Sequence, residues 1–181
     1  MDLKVSKEKE LVTGDEVTKR LERGAADKVW TITHMALALM KKYGEEEALE
    51  IVREAGYARG ERNAPLIEKL MKEAGANFND SRDVRRYLRE NNGFWGVCEH
   101  TDDSVLTKPG GKVRVEYRIT KCPWTDVWNE MGLSKELQFK LDSCLGLQSD
   151  LATFKYFEIK YECDQGMAKG RDCCKFVLEK L

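Results

Sequence analysis

Residues 112–132 read KVRVEYRITKCPWTDVWNEMG, and the reading of the fold starts there. Val113, Val115, Tyr117 and Ile119 alternate with Arg114, Glu116, Arg118 and Thr120. A period of two predicts a strand with one apolar and one polar face. Cys122 then precedes Pro123, and proline is favoured at the first position of a helix. Trp124 and Trp128 are four apart and share a helical face. The stretch therefore predicts one strand running into one short helix, with Cys122 at the joint. Unpaired amides and the positive end of the helix dipole favour a thiolate there, so Cys122 is the expected reactive atom.

Outward from this joint, a second strand is expected over 94–100 and pairs with 112–120 as a hairpin. The polar segment between them holds Pro109-Gly110-Gly111, a turn signal. Cys98 and His100 are two apart on that strand and should point the same way, like half of a metal site. On the other side, Ser134 caps a helix reaching about residue 147, with Leu137, Leu141 and Cys144 on its inner face. Phe157, Ile159 and Tyr161 mark a third strand. Turns at 164–166 and at Gly170 lead to a last strand over 172–178, with Cys174, Phe176 and Leu178 on one side and Cys173 and Val177 on the other.

The first half is helical. Residues 1–26 are charged and read as an N-terminal arm ending near Gly24; residues 27–181 read as one domain. Residues 27–43 form the most apolar helix, expected to be buried on most sides, with Trp30, His34 and Leu37 or Ala38 on one face. A histidine in such a stripe needs a partner, either a backbone carbonyl or a ligand. Gly44 separates this helix from the next, whose Gly56 and Gly60 suggest close helix contact or a bend. Arg59 and Arg62 follow; they pair with nearby glutamates or hold a substrate carboxylate. Pro65 opens another helix, and Asn79-Asp80-Ser81 caps one more, whose charged residues should face water. The order predicts an α+β fold, with the helical N-terminal half packed on one face of a roughly four-stranded antiparallel sheet.

Composition limits the function. The chain of 181 residues carries 31 basic and 32 acidic side chains, a net charge of −1. That balance argues against a nucleic-acid partner. No apolar run approaches a membrane span, and the first residues lack a secretory pattern, so a cytoplasmic protein is expected. Its six cysteines are then expected as reduced thiols.

Several of these motifs carry a resemblance. Cys122-Pro123-Trp124 with Trp128 and Met131-Gly132, the helix bearing Cys144, and Gly170-x-x-Cys173-Cys174-x-Phe176 resemble the L-2-amino-thiazoline-4-carboxylic acid hydrolase family. The family pattern has an aspartate three residues after the helix cysteine, where this chain has Leu147, with Asp142 and Asp150 as the nearest acids. It has Thr where this chain has Gly166, and Asp where it has Arg171. The ending is also similar to vinyl-reductase-type domains, small modules that bind small molecules. The hydrolase resemblance implies ring opening of a cyclic isothiourea to N-carbamoyl-cysteine. Such chemistry needs a nucleophile, a proton donor and a cation for the carboxylate. Cys122 and His34 are the catalytic candidates, and Trp124, Trp128, Arg59 and Arg62 the substrate-binding ones. Alternatively Cys122, Cys174, His34 and His100 hold a divalent metal such as zinc that activates water. The expected partner is a small-molecule substrate or ligand. A homodimer through the sheet face is the structural alternative to either site.

Overall fold

A computed structural model describes residues 14–91, 97–101, 104–107 and 113–181. Three helices come first: α1 (Gly14–Tyr43), α2 (Glu45–Glu73) and α3 (Ser81–Asn91). Strands β1 (Glu99–His100), β2 (Ser104–Thr107) and β3 (Val113–Lys121) follow. Helices α4 (Pro123–Glu130), α5 (Lys135–Cys144) and α6 (Gly146–Tyr156) lead to β4 (Ile159–Cys163) and β5 (Cys174–Lys180). The sheet is antiparallel, in the order β1-β3-β5-β4, with β2 also paired to β3. The α+β class holds, with five strands among the described residues rather than four.

The alternation read in β3 is realised. Val113, Val115, Tyr117 and Ile119 are buried, while Arg114 lies on the other face and pairs with Glu116 and Glu179. Cys174, Phe176 and Leu178 bury the same face of β5, and Tyr117 stacks on Phe176 with ring centroids 5.0 Å apart. Helices α2, α3 and α6 cover this face with Met71, Val84, Leu88 and Phe154. A second core lies among helices alone, where Val29 and Ala36 of α1 meet Trp124, Trp128 and Leu141. Cys122 packs against both cores, at the seam between them.

Four local expectations change. Helix α1 begins at Gly14 and not near residue 27, with Ala25 buried; the rest of the expected arm, 1–13, lies outside the described residues. Pro65 lies inside α2 instead of opening a new helix. It removes one backbone donor, which an exposed stretch of helix tolerates because water serves the freed carbonyl. The helix expected to end near 147 breaks at Leu145, and α6 begins at Gly146. Arg85 does not face water: it is 1% exposed, with its guanidinium 3.9 Å from the Tyr117 ring centre and Nη2 2.9 Å from His100 Nδ1. The expected strand over 94–100 lies partly outside the described residues, and so does the Pro109-Gly110-Gly111 turn.

The close helix contact expected from Gly56 and Gly60 is present. A Cβ on Gly60 would sit 2.2 Å from the Ser149 carbonyl oxygen, and one on Gly56 2.4 Å from that of Cys144. Helix α2 thus crosses the end of α5 and the start of α6 at backbone distance. That crossing presents Arg59 and Asn63 to the same space as the polar side chains of α6.

Candidate active site

Where the two cores meet, the seam opens into a cavity of about 110 Å³. Arg59 of α2, Asp142 of α5, Asp150 of α6 and Cys174 of β5 all line it. Cys98, Cys122, Trp124, Tyr161 and Cys163 complete the chemically interesting wall.

Its two carboxyls are both shifted toward neutral pH. Burial pushes Asp150 up to about 7, against the hydrogen bond donated by Tyr161 Oη at 2.9 Å and the charge of Arg59. Burial likewise pushes Asp142 up to about 6, although Gln165 Nε2 donates to its Oδ2 at 2.9 Å. Desolvation favours the neutral acid, so both groups hold a proton further toward neutral pH than an exposed carboxyl. Arg59 Nε is buried with no hydrogen-bond partner among the described residues. An unsatisfied guanidinium N–H beside a cavity is a ready contact for a carboxylate oxygen.

Cys122 is placed as expected, just before Pro123 at the start of α4. Its acidity is not as expected. One step beyond the Glu99–Lys121 pair of β1 and β3, Cys98 lies opposite Cys122 and the two thiols share a hydrogen bond. That contact and burial push the Cys122 thiol well up; the Trp124 amide acts in the favourable direction and is outweighed.

A second thiol pair lies across the cavity wall. The register sets Cys163 opposite Phe176, so Cys174, two residues earlier on β5, is its diagonal neighbour. The Gln165 amide donates to Cys163 Sγ and the Met167 amide to Cys174 Sγ, each at 3.4 Å. Hydrogen bonding from Cys163 lowers the Cys174 thiol, aided by the Met167 amide against the effect of burial, while Cys163 is pushed up.

The remaining expected site residues separate. His34 is not in the cavity wall. It is exposed on α1, stacked on Trp30 with centroids 3.8 Å apart, and its Nδ1 is 3.1 Å from the Trp30 carbonyl oxygen. The inward stripe of α1 is Val29, Thr33 and Ala36, one residue round from the expected face. Thr33 is drawn inward because Trp128 Nε1 donates to its hydroxyl at 2.9 Å. Trp128 is therefore sealed in the helical core, while Trp124 reaches the cavity. Arg62 is exposed and Arg59 is not. His100 meets Arg85, and the register shift between Glu99 and His100 sets it apart from Cys98. The four expected metal ligands are thus not assembled; among the described residues no three His, Cys, Asp or Glu side chains form a metal-holding group.

Asp142, Asp150 and Tyr161 were not among the expected site residues. A signal for one of them lies in the chain: Leu147, Leu151 and Phe154 have helical spacing, and Asp150 falls among them. A carboxyl within an apolar helical stripe is a buried-acid signature. The family's aspartate position is Leu147 here, and Asp150, nearly one turn later, lines the same cavity.

Among solved structures, the fold is similar to that of a trafficking protein particle complex subunit 3 from Naegleria fowleri covalently bound to palmitic acid. The TM-score is 0.54 at 13% identity, over 86% of this chain and 93% of that one. That likeness is one of fold. None of the curated proteins compared matches the sequence. The sequence model described as L-2-amino-thiazoline-4-carboxylic acid hydrolase matches residues 27–178, which takes in every cavity residue named above. No helix among the described residues is long and apolar enough to cross a membrane. With a match over nearly the whole of the described chain, this protein belongs to the L-2-amino-thiazoline-4-carboxylic acid hydrolase family.

Proposed function

We propose that the cavity is the active site of a hydrolase that opens a small cyclic isothiourea, 2-amino-thiazoline-4-carboxylate or a close relative, to an N-carbamoyl amino thiol. The observation that carries this reading is the pair of buried carboxyls, Asp142 and Asp150, raised to about 6 and about 7 at one cavity. In the reaction, water adds to the carbon between sulfur and nitrogen, the ring carbon–sulfur bond breaks, and the departing sulfur takes a proton. An acid with a pKa near the working pH is suited to deliver it. Asp150 is that acid, with Tyr161 fixing one of its oxygens. Arg59, with its unpartnered Nε, holds the substrate carboxylate, and Trp124 supplies an apolar wall for the ring.

Size agrees with a compact substrate. At about 10–15 Å³ of such space per water, the cavity suits a molecule of about ten non-hydrogen atoms. A fatty acyl chain, as the Naegleria protein holds, is larger than that space accommodates. The test is to incubate the protein with 2-amino-thiazoline-4-carboxylate and follow the carbamoylated product. Catalytic turnover, abolished in Asp150→Asn, is the expected result. Stoichiometric binding without product would move the protein to the small-molecule-binding class of the vinyl-reductase-type domains.

A further inference from the structure

We propose that Asp142 binds the amidine of the substrate, with Gln165 as its positioning residue, so that the cavity takes cyclic amidines bearing a carboxylate and rejects lactams of the same shape. The assignment rests on the hydrolase reading only for the ring that carries the amidine. Such amidines are cations near neutral pH, and a carboxylate meets two N–H groups of one in parallel, as it meets a guanidinium.

Placement separates the two acids of the cavity. Asp150 follows Ser149 on α6, and Arg59 precedes Gly60 on α2. A Cβ on Gly60 would lie 2.2 Å from the Ser149 carbonyl oxygen, so the crossing brings Arg59 and Asp150 together. The Arg59 charge acts on Asp150 accordingly. Asp142 stands on α5, before the break at Leu145, and is tied to the turn that precedes β5. A substrate whose carboxylate meets Arg59 cannot set its cation against the same guanidinium. The ring carries carboxylate and amidine on opposite sides, so the amidine reaches the wall that Asp142 shares with Trp124 and Gly146.

Asp142 has one oxygen fixed and one open. Its Oδ2 accepts from Gln165 Nε2 at 2.9 Å. Its Oδ1 lies 2.9 Å from the point where a Cβ on Gly146 would stand, and Trp124 Nε1 lies 3.9 Å from that point. Glycine at this position leaves the oxygen uncovered on the cavity side. Lys169, whose charge acts on Asp142, is engaged elsewhere: its Nζ donates to the Asp164 carbonyl oxygen at 2.9 Å and lies 4.6 Å from the Phe139 ring centre. A desolvated carboxylate of this kind is completed by a cationic ligand.

Gln165 fixes the direction of that carboxylate. It is buried, and its Nε2 also donates to Ser143 Oγ at 3.0 Å, so the amide is held at two points. Its backbone is at φ +52°, which residues other than glycine adopt at a cost. Asp164 maintains the turn: its Oδ1 accepts from the Gly166 and Lys175 amides at 3.1 and 2.8 Å, and its Oδ2 pairs with Arg171 at 3.0 Å. That pair accounts for the arginine where the family pattern has an aspartate. A Cβ on Gly166 would lie 1.9 Å from the Cys173 carbonyl oxygen, so the family's threonine has no room here. A carboxylate beside the amidine also keeps it protonated, and the protonated carbon is the better electrophile for water. With Asp142 at about 6 and Asp150 at about 7, the first is mainly the anion at neutral pH while the second still supplies a proton.

The experiment is calorimetric titration of the full chain with two inert ligands, and it needs no turnover. One is the carba analogue of 2-amino-thiazoline-4-carboxylate, with a methylene in place of the ring sulfur. The other is the lactam of that ring, with a carbonyl oxygen in place of the amino group. The wild type should bind the amidine at least about tenfold tighter than the lactam. Asp142→Asn should weaken the amidine by about tenfold to a hundredfold and leave the lactam unchanged. Gln165→Leu should weaken the amidine by about threefold to tenfold, again without moving the lactam, which a general loss of structure would weaken equally. Equal affinity for the two ligands in the wild type, or binding of neither, overturns the assignment. So does a folded Asp142→Asn protein that keeps the amidine preference, even where it loses turnover. If Asp142→Asn does not fold, Gln165→Leu decides alone. The hydrolase reading fails separately: a wild type that opens no thiazoline ring but prefers the amidine through Asp142 loses that reading and keeps this assignment.

Discussion

At Asp150 the protein places a carboxyl where water cannot stabilise its charge, and the consequence is chemical. Its pKa near 7 leaves a substantial neutral fraction at neutral pH, the form that donates a proton. Asp150→Asn keeps the shape and the Tyr161 contact but removes the proton, so turnover should fall by about 10²–10⁴-fold with little change in KM. Steady-state kinetics on both proteins checks it. Arg59→Gln should show the opposite split, raising KM by about tenfold to a hundredfold, the loss of roughly 1.5–3 kcal/mol in a charged hydrogen bond. Chemistry at the residue scale was partly legible from the chain. Cys122 was placed correctly by Pro123, because a proline at N1 is a local signal. Its acidity was not, because the Cys98 beside it is brought there by strand pairing. His34 went to solvent for a similar reason: the inward face of α1 is chosen by Trp128, 95 residues away, seeking an acceptor in Thr33.

Between elements, the crossing of α2 over α6 decides where the site sits. Gly60→Ala adds a methyl 2.2 Å from the Ser149 carbonyl oxygen and 2.7 Å from the Ala152 Cβ, so the helices must part. Overpacking of this kind costs about 1–3 kcal/mol, and the thermal midpoint should fall by several degrees. Gly24→Ala is the control, because it is helical with nothing within 4 Å of the added carbon and should gain up to about 1 kcal/mol. A calorimetric comparison of the two separates close approach from helix propensity. Trp128→Phe should cost about 1–3 kcal/mol by leaving the buried Thr33 hydroxyl without its donor, read from denaturant unfolding. Glycine spacing in α2 announced close contact but not its partner. Residues 146–156 escaped recognition as a separate helix because α5 and α6 are divided at a single residue, with no proline or positive-φ glycine to mark the break.

For the molecule as a whole, the buried acids tilt stability with pH. Both folded pKa values lie above the ordinary 3.8, so the native state binds more protons than the unfolded chain between about pH 4 and 7. Stability from these groups is complete below pH 4 and is lost as pH rises through 6 and 7, at about 1.4 kcal/mol for each pH unit that separates folded from unfolded titration. Exposed carboxylates held low by basic partners, such as Glu136 by Lys140, act in the acid range and with the opposite sign. Denaturant unfolding should therefore show lower stability at pH 8 than at pH 5, and Asp142→Asn with Asp150→Asn should flatten that slope. An unchanged slope would place both carboxyls in water. By itself the sequence determined the α+β class, the two faces of β3, the α4 start at Cys122 and the family's motifs. Each is set by residues within a few positions of one another, through strand alternation, helix spacing and caps. Only the tertiary structure decided which acids lose water, which thiols pair and which helix face turns inward. Those depend on groups distant in sequence meeting across a seam, where burial and hydrogen bonding are fixed by the partner and not by the neighbours along the chain.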